Sequence, residues 1–130
     1  MSLMKTWKNI LAIVLATIWI SISEFVRNQF IVRNLWLEHY KKMGLVFPDK
    51  PINGAVWGLW SLLAALFVYM ISRKFNLLQT AFLAWFGQFV LMWVVIGNLG
   101  VLPHGILWLA VPLSLLESFI AALIVKKTAS

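Results

Sequence analysis

The sequence predicts an all-α fold: a four-helix transmembrane bundle with an amphipathic extension after helix 1. Three observations carry that expectation. Apolar stretches at about 7–26, 54–71, 77–96 and 106–125 take up most of the 130 residues. A helix rises about 1.5 Å per residue, so roughly 20 residues cross a hydrocarbon core of about 30 Å. The composition agrees, with 62% hydrophobic and 12% charged residues and a mean hydropathy of +0.91, whereas soluble domains are nearer half apolar and a quarter charged. Finally, the eleven Lys and Arg gather at the ends of the apolar stretches. The longest non-spanning stretch, roughly 27–53, is too short for a soluble domain. Residues 1–130 are therefore read as a single integral membrane domain.

The first span begins near Lys5 or Trp7 and stays apolar to Ile22. Its basic flank (Lys5, Lys8), apolar run and Ser21-Ile22-Ser23 have the form of a signal peptide. We read the segment as an uncleaved first helix. No Gly or Pro interrupts the chain before Gly44, and 27–43 alternates apolar and polar patches, the pattern of an amphipathic helix, which we read as extending the first helix with a bend. Gly44 and Pro48 stop it, and 44–53 reads as a loop with Asn53 as N-cap of the second span. Arg73 and Lys74 end that span, and Phe75-Asn76 turns the chain into the third. Asn98, Gly100, Pro103 and Gly105 break the chain before the fourth, which Lys126-Lys127 closes. Four spans put both termini on one side. That side carries Lys5, Lys8, Arg73, Lys74, Lys126 and Lys127 and no acid; on the other, Glu24, Glu38 and Asp49 dilute the basic residues. The positive-inside rule then places both termini in the cytoplasm. Helices 1–2 and 3–4 share no motif that would indicate an internal repeat.

The net charge of +7 points to anionic lipid headgroups as partners, because the cations flank spans and form no stripe of the kind that reads nucleic acid. With no cysteine, disulfides, thiolate nucleophiles and iron–sulfur clusters are excluded. His39 and His104 are the only histidines. Both fall in segments outside the spans, where buried haem ligands do not lie. There is no metal-ligand spacing, Gly-rich phosphate loop or nucleophile elbow. No cofactor or metal and no catalytic residue is expected.

Small residues recur four apart at Ala110, Ser114, Ser118 and Ala122, and Gly54-x-x-x-Gly58 opens the second span. Such stripes let helix backbones approach closely. We read them as packing within one bundle, with a homodimer seam or a larger membrane complex as the alternative. Phe82, Trp85, Phe86, Phe89 and Trp93 trace one broad face of the third span. That face is either apolar bulk or the aromatic wall of a pocket.

Glu117 is the most informative residue. It lies about 12 Å from the end of its span, where an unpaired carboxylate costs several kcal/mol. It is the candidate protonatable group, with Gln88 as its polar partner by depth and Trp60, Trp85 and Phe89 as apolar walls. A second group, Glu24, Arg27, Asn28 and His104, falls at the far end of the bundle. Glu24 with Arg27 and with Asn28 has helical i,i+3 and i,i+4 spacing. This group reads as a solvated interfacial ion pair or as a polar mouth for an anionic ligand. The leading functional reading is binding or transport of a small hydrophobic or cationic molecule at an intrabundle site. The alternatives are a non-catalytic accessory subunit, or a lipid-modifying enzyme built on the far-end cluster. In length and in carrying an intramembrane acid the chain is similar to the small multidrug resistance transporters. Their acid lies in the first helix and this one in the fourth, so no residue role is carried over.

Overall fold

Ser2 opens the first helix: its hydroxyl accepts from the Lys5 amide at 3.2 Å, satisfying one donor that a helix start leaves unpaired. The computed structural model describes residues 2–130, and no strand occurs among them. Helix α1 covers Leu3–Val26. It runs on as a π-helical turn, Arg27–Ile31, in which the Val32 amide reaches back five residues to the Arg27 carbonyl at 2.9 Å. At Val32 the backbone leaves helical geometry (φ −111°, ψ 12°), and α2, Arg33–Lys42, departs on a new course. Gly44, at φ +73°, closes α2 in a conformation that glycine adopts without strain.

Helix α3, Pro51–Ser72, begins three residues earlier than the sequence suggested. Proline suits a first helical turn, where its missing N–H has no partner to lose. Asn53 works from inside that turn, its side-chain oxygen accepting from the Lys50 amide at 3.0 Å. Before α4, Leu77–Trp85, Asn76 and Gln79 cap each other's backbone amides reciprocally. A second π-helical turn, Phe86–Val90, leads into α5, Leu91–Asn98. Helix α6 is Leu107–Thr128. Four continuous helical segments are long and apolar enough to cross a membrane: Leu3–Ile31, Pro51–Ser72, Leu77–Asn98 and Leu107–Thr128.

The bundle packs on small residues. Helix α1 lies against α3 and α6, and α4 lies against α6. Between them sit Ala12 and Ala16 of α1, Ala64 and Ala65 of α3, Ala81 and Ala84 of α4, and Ala121 and Ala122 of α6, all buried. Lipid gives no hydrophobic push between helices, so close backbone approach and interhelical hydrogen bonds hold such a bundle. Trp19 Nε1 donates to the Glu117 carbonyl at 3.0 Å, Trp85 Nε1 to Ser114 Oγ at 2.9 Å, and Gln88 Nε2 to the Ala64 carbonyl at 3.0 Å. Each such bond contributes about 0.6 kcal/mol on average in a membrane bundle. At the end far from the termini, Val32, Ile106 and Ala110 form a second buried cluster, with Leu35, Trp36, Trp93 and Leu102 packed on it. Burial of Val32 there fixes the bend between the first span and α2.

Candidate buried acid–base–acid site

Helix α1 presents Ala12, Ala16, Ile20 and Glu24 to the interior, four residues apart and all buried. That spacing returns to the same helical face. The fourth member of an apolar packing stripe is therefore an acid. Arg27 lies one turn on, and its guanidinium joins two carboxylates: Nη2 is 2.5 Å from Glu24 Oε1, and Nη1 is 3.4 Å from Glu117 Oε1. Glu24 is 4% exposed, Arg27 7% and Glu117 2%. Asn28 Nδ2 donates to Glu24 Oε2 and to the Glu24 carbonyl, each at 3.1 Å. Asn28 Oδ1 in turn accepts from Trp36 Nε1 at 3.1 Å. Two carboxylates thus share one guanidinium in a water-poor interior. With both ionised the cluster carries one surplus negative charge, a state stabilised only by well-placed hydrogen bonds or by a further cation or proton.

The sequence reads Glu24 and Arg27 as a solvated interfacial ion pair or as part of a polar mouth for an anionic ligand. The structure buries them because the first span continues to Ile31, about 10 Å beyond Glu24 by helical rise. Val32, Ile106 and Ala110 of the second buried cluster line the same cavity as Glu24 and Arg27.

Arg27 also lies over the ring of Phe89, 5.2 Å from its centroid, a cation–π arrangement. Phe89, itself buried, has Trp60 at 5.8 Å and Trp93 at 5.9 Å between ring centroids. Arg27 opens one π-helical turn and Phe89 lies within the other, so both irregular turns of the spans meet at this contact. Such turns are rare and frequent at functional sites. A cavity of about 220 Å³ opens beside them, lined by Glu24, Arg27, Asn28, Trp36, Trp57, Phe89 and Trp93 among others. A larger open groove of about 660 Å³ runs between α1 and α3 on the other side of Glu24, Asn28 and Trp57.

The structure brings together some of the residues singled out in the sequence and separates others. Glu117, Glu24, Arg27 and Asn28 converge. Gln88 does not pair with Glu117; it is held by the Ala64 carbonyl of α3, and Arg27 takes its place. Phe89 and Trp60 form the aromatic side of the site. Trp85 stacks edge-on with Trp93 at 6.1 Å and is tied to α6 through Ser114. Phe82 and Phe86, from the same broad face, are exposed. His104 is exposed and meets His39 edge-to-face at 5.9 Å between ring centroids. It lines neither cavity that contains Glu24. Among the described residues no group of three or more His, Asp or Glu could hold a metal ion. Sequence reasoning missed the union of Arg27 with Glu117 and the place of Trp36 and Trp57 in the cavity wall. The four-residue rhythm ending at Glu24 was the available signal.

Fold and site together define a small four-span α-helical membrane protein with a buried acid–base–acid cluster. No protein-family model, curated protein or solved structure matches the chain.

Proposed function

We propose that this protein binds a compact organic cation in the aromatic cavity beside Glu24, with Glu117 as the partner that carries a proton when the cation is absent. The observation that carries this reading is the charge count: two buried carboxylates face one buried guanidinium, next to a cavity walled by Trp36, Trp57, Phe89 and Trp93. Aromatic faces attract quaternary ammonium groups, and the surplus carboxylate charge adds to that attraction. Arg27 works against it, so the ratio of acids to bases decides the sign. A cavity of about 220 Å³ is smaller than the roughly 300–1,000 Å³ of sites for drug-sized molecules, which favours a ligand near the size of tetramethylammonium. Proton and cation compete for the same surplus charge, the arrangement that exchange across a membrane requires.

The test is calorimetric titration of the detergent-purified chain with tetramethylammonium across a range of pH. Saturable binding that weakens on acidification is expected, with at least a tenfold loss of affinity in Glu24→Gln, about 1.4 kcal/mol. In Glu117→Gln the pH dependence is expected to flatten while the protein stays folded. Absence of binding in the wild type, or equal binding in Glu24→Gln, refutes the proposal. A second reading has its own observation. Arg27–Glu117 and Trp19–Glu117 both fasten α1 to α6, as a structural staple in an accessory subunit would. On that reading neither variant changes any ligand equilibrium.

A further inference from the structure

The open groove between α1 and α3 has the shape and charge of a phospholipid site, and we propose that it holds one membrane aminophospholipid. The groove descends from Gln29 to Ser21 along the first span and from Pro51 to Ser61 along α3. Helical rise makes those distances about 12 and 15 Å, close to half of a hydrocarbon core of about 30 Å. One leaflet is the depth that a lipid anchored at the surface occupies.

The mouth is built to face a headgroup. Arg33 Nη2 lies 3.2 Å from Asp49 Oδ2, and Arg33 Nη1 donates to Gln29 Oε1. Lys50 stands beside them at the groove and has no ion pair among the described residues. Two cations and one carboxylate therefore sit together at the rim. That set complements a headgroup carrying both a phosphate and a primary ammonium: phosphate between Arg33 and Lys50, ammonium against Asp49. The rim is held in place by Phe47, whose ring packs against Trp36 at 5.9 Å and Tyr40 at 5.3 Å between centroids. Below the rim the wall of α3 is bare of side chains at Gly54 and Gly58, where an added Cβ would meet no atom within 4 Å. An acyl chain can lie directly on that backbone. The groove shares Glu24, Asn28 and Trp57 with the wall of the cation cavity, whereas Arg33, Asp49 and Lys50, which would meet the headgroup, line the groove alone.

The same two glycines provide the test. A Cβ added at Gly58 meets no neighbour within 4 Å, and a leucine there extends from that open position into the groove. The full chain is reconstituted in nanodiscs of equal phosphatidylethanolamine, phosphatidylglycerol and phosphatidylcholine, then released and examined by native mass spectrometry. One retained phosphatidylethanolamine per chain is expected for the wild type. Gly58→Leu and Gly54→Leu should each lose it, with circular dichroism verifying that both stay helical. Asp49→Asn should lower the preference for phosphatidylethanolamine over phosphatidylglycerol by up to about fivefold, the range of an exposed ion pair. Arg33→Gln should weaken retention of both. Equal retention of all three lipids by the wild type, undiminished retention in the leucine variants, or an unchanged preference in Asp49→Asn would each overturn the proposal.

Discussion

Arg27 is outnumbered. One guanidinium, 2.5 Å from Glu24 and 3.4 Å from Glu117, compensates two buried acids, and the imbalance sets the order in which substitutions should matter. Arg27→Met removes the only base and leaves both carboxylates unpaired. Breaking a buried pair in that way costs about 3–5 kcal/mol. Glu117→Gln leaves a neutral Glu24–Arg27 pair still held by Asn28, and should cost less than about 1 kcal/mol or stabilise the fold. Reversible unfolding in mixed micelles gives both numbers. Equal losses for the two variants would mean that the cluster is balanced by something other than Arg27.

At the scale of elements, the question is what keeps α2 on the bundle, since it contains no buried residue of its own. Its attachments include the bond from Trp36 Nε1 to Asn28, the bond from Arg33 Nη1 to Gln29 Oε1, the packing of Trp36 and Leu35 on the Val32 cluster, and the contacts of His39 with the Gly100 carbonyl at 2.6 Å and with the His104 ring. Trp36→Phe keeps an aromatic ring and deletes the hydrogen bond. A net loss of about 1 kcal/mol predicts that amide hydrogen exchange across α2 accelerates about fivefold, while α3 and α6 stay protected. Uniform protection in the variant would show that packing alone holds α2. The sequence had read this segment as an amphipathic extension, and its helical character was legible from the absence of Gly and Pro. A bend was expected as well, but not its place at Val32, because that depends on Ile106 and Ala110 arriving from the far end of the chain to bury that side chain.

At the scale of the whole molecule, the small-residue stripe of α6 is consumed inside the chain. Ala110, Ser114, Ser118 and Ala122 are all buried, so a larger side chain there should damage the single bundle. Ala122→Leu is expected to destabilise it by about 1–3 kcal/mol through overpacking. Trp108→Leu, at a position 87% exposed, should stay within about 0.5 kcal/mol of wild type. Thermal unfolding of the two variants, with oligomer size measured alongside, separates the alternatives. If Ala122→Leu dissociates an oligomer and leaves the unfolding temperature unchanged, the stripe is a seam between chains.

Span number and the all-helical class follow from the sequence alone, because they rest on a one-dimensional property: how many separate runs of consecutive residues tolerate hydrocarbon. Glu117 was marked out by the same logic, since an acid inside such a run is costly wherever the run packs. Its partner was not. Depth along a helix is readable from residue number, and depth suggested Gln88. Which side chain faces Glu117 depends on the rotation of each helix and on where a helix really ends. The π-helical turns at Arg27–Ile31 and Phe86–Val90 shift both, and no local signal announces them. Only the packed bundle carries α1 far enough past Glu24 to bury it, turns Arg27 inward onto Phe89 and Glu117, and leaves Gln88 to a backbone carbonyl on α3. Hydrophobicity dictated the solvent and the layout; the pairing of Arg27 with Glu117 was decided by the meeting of residues ninety positions apart.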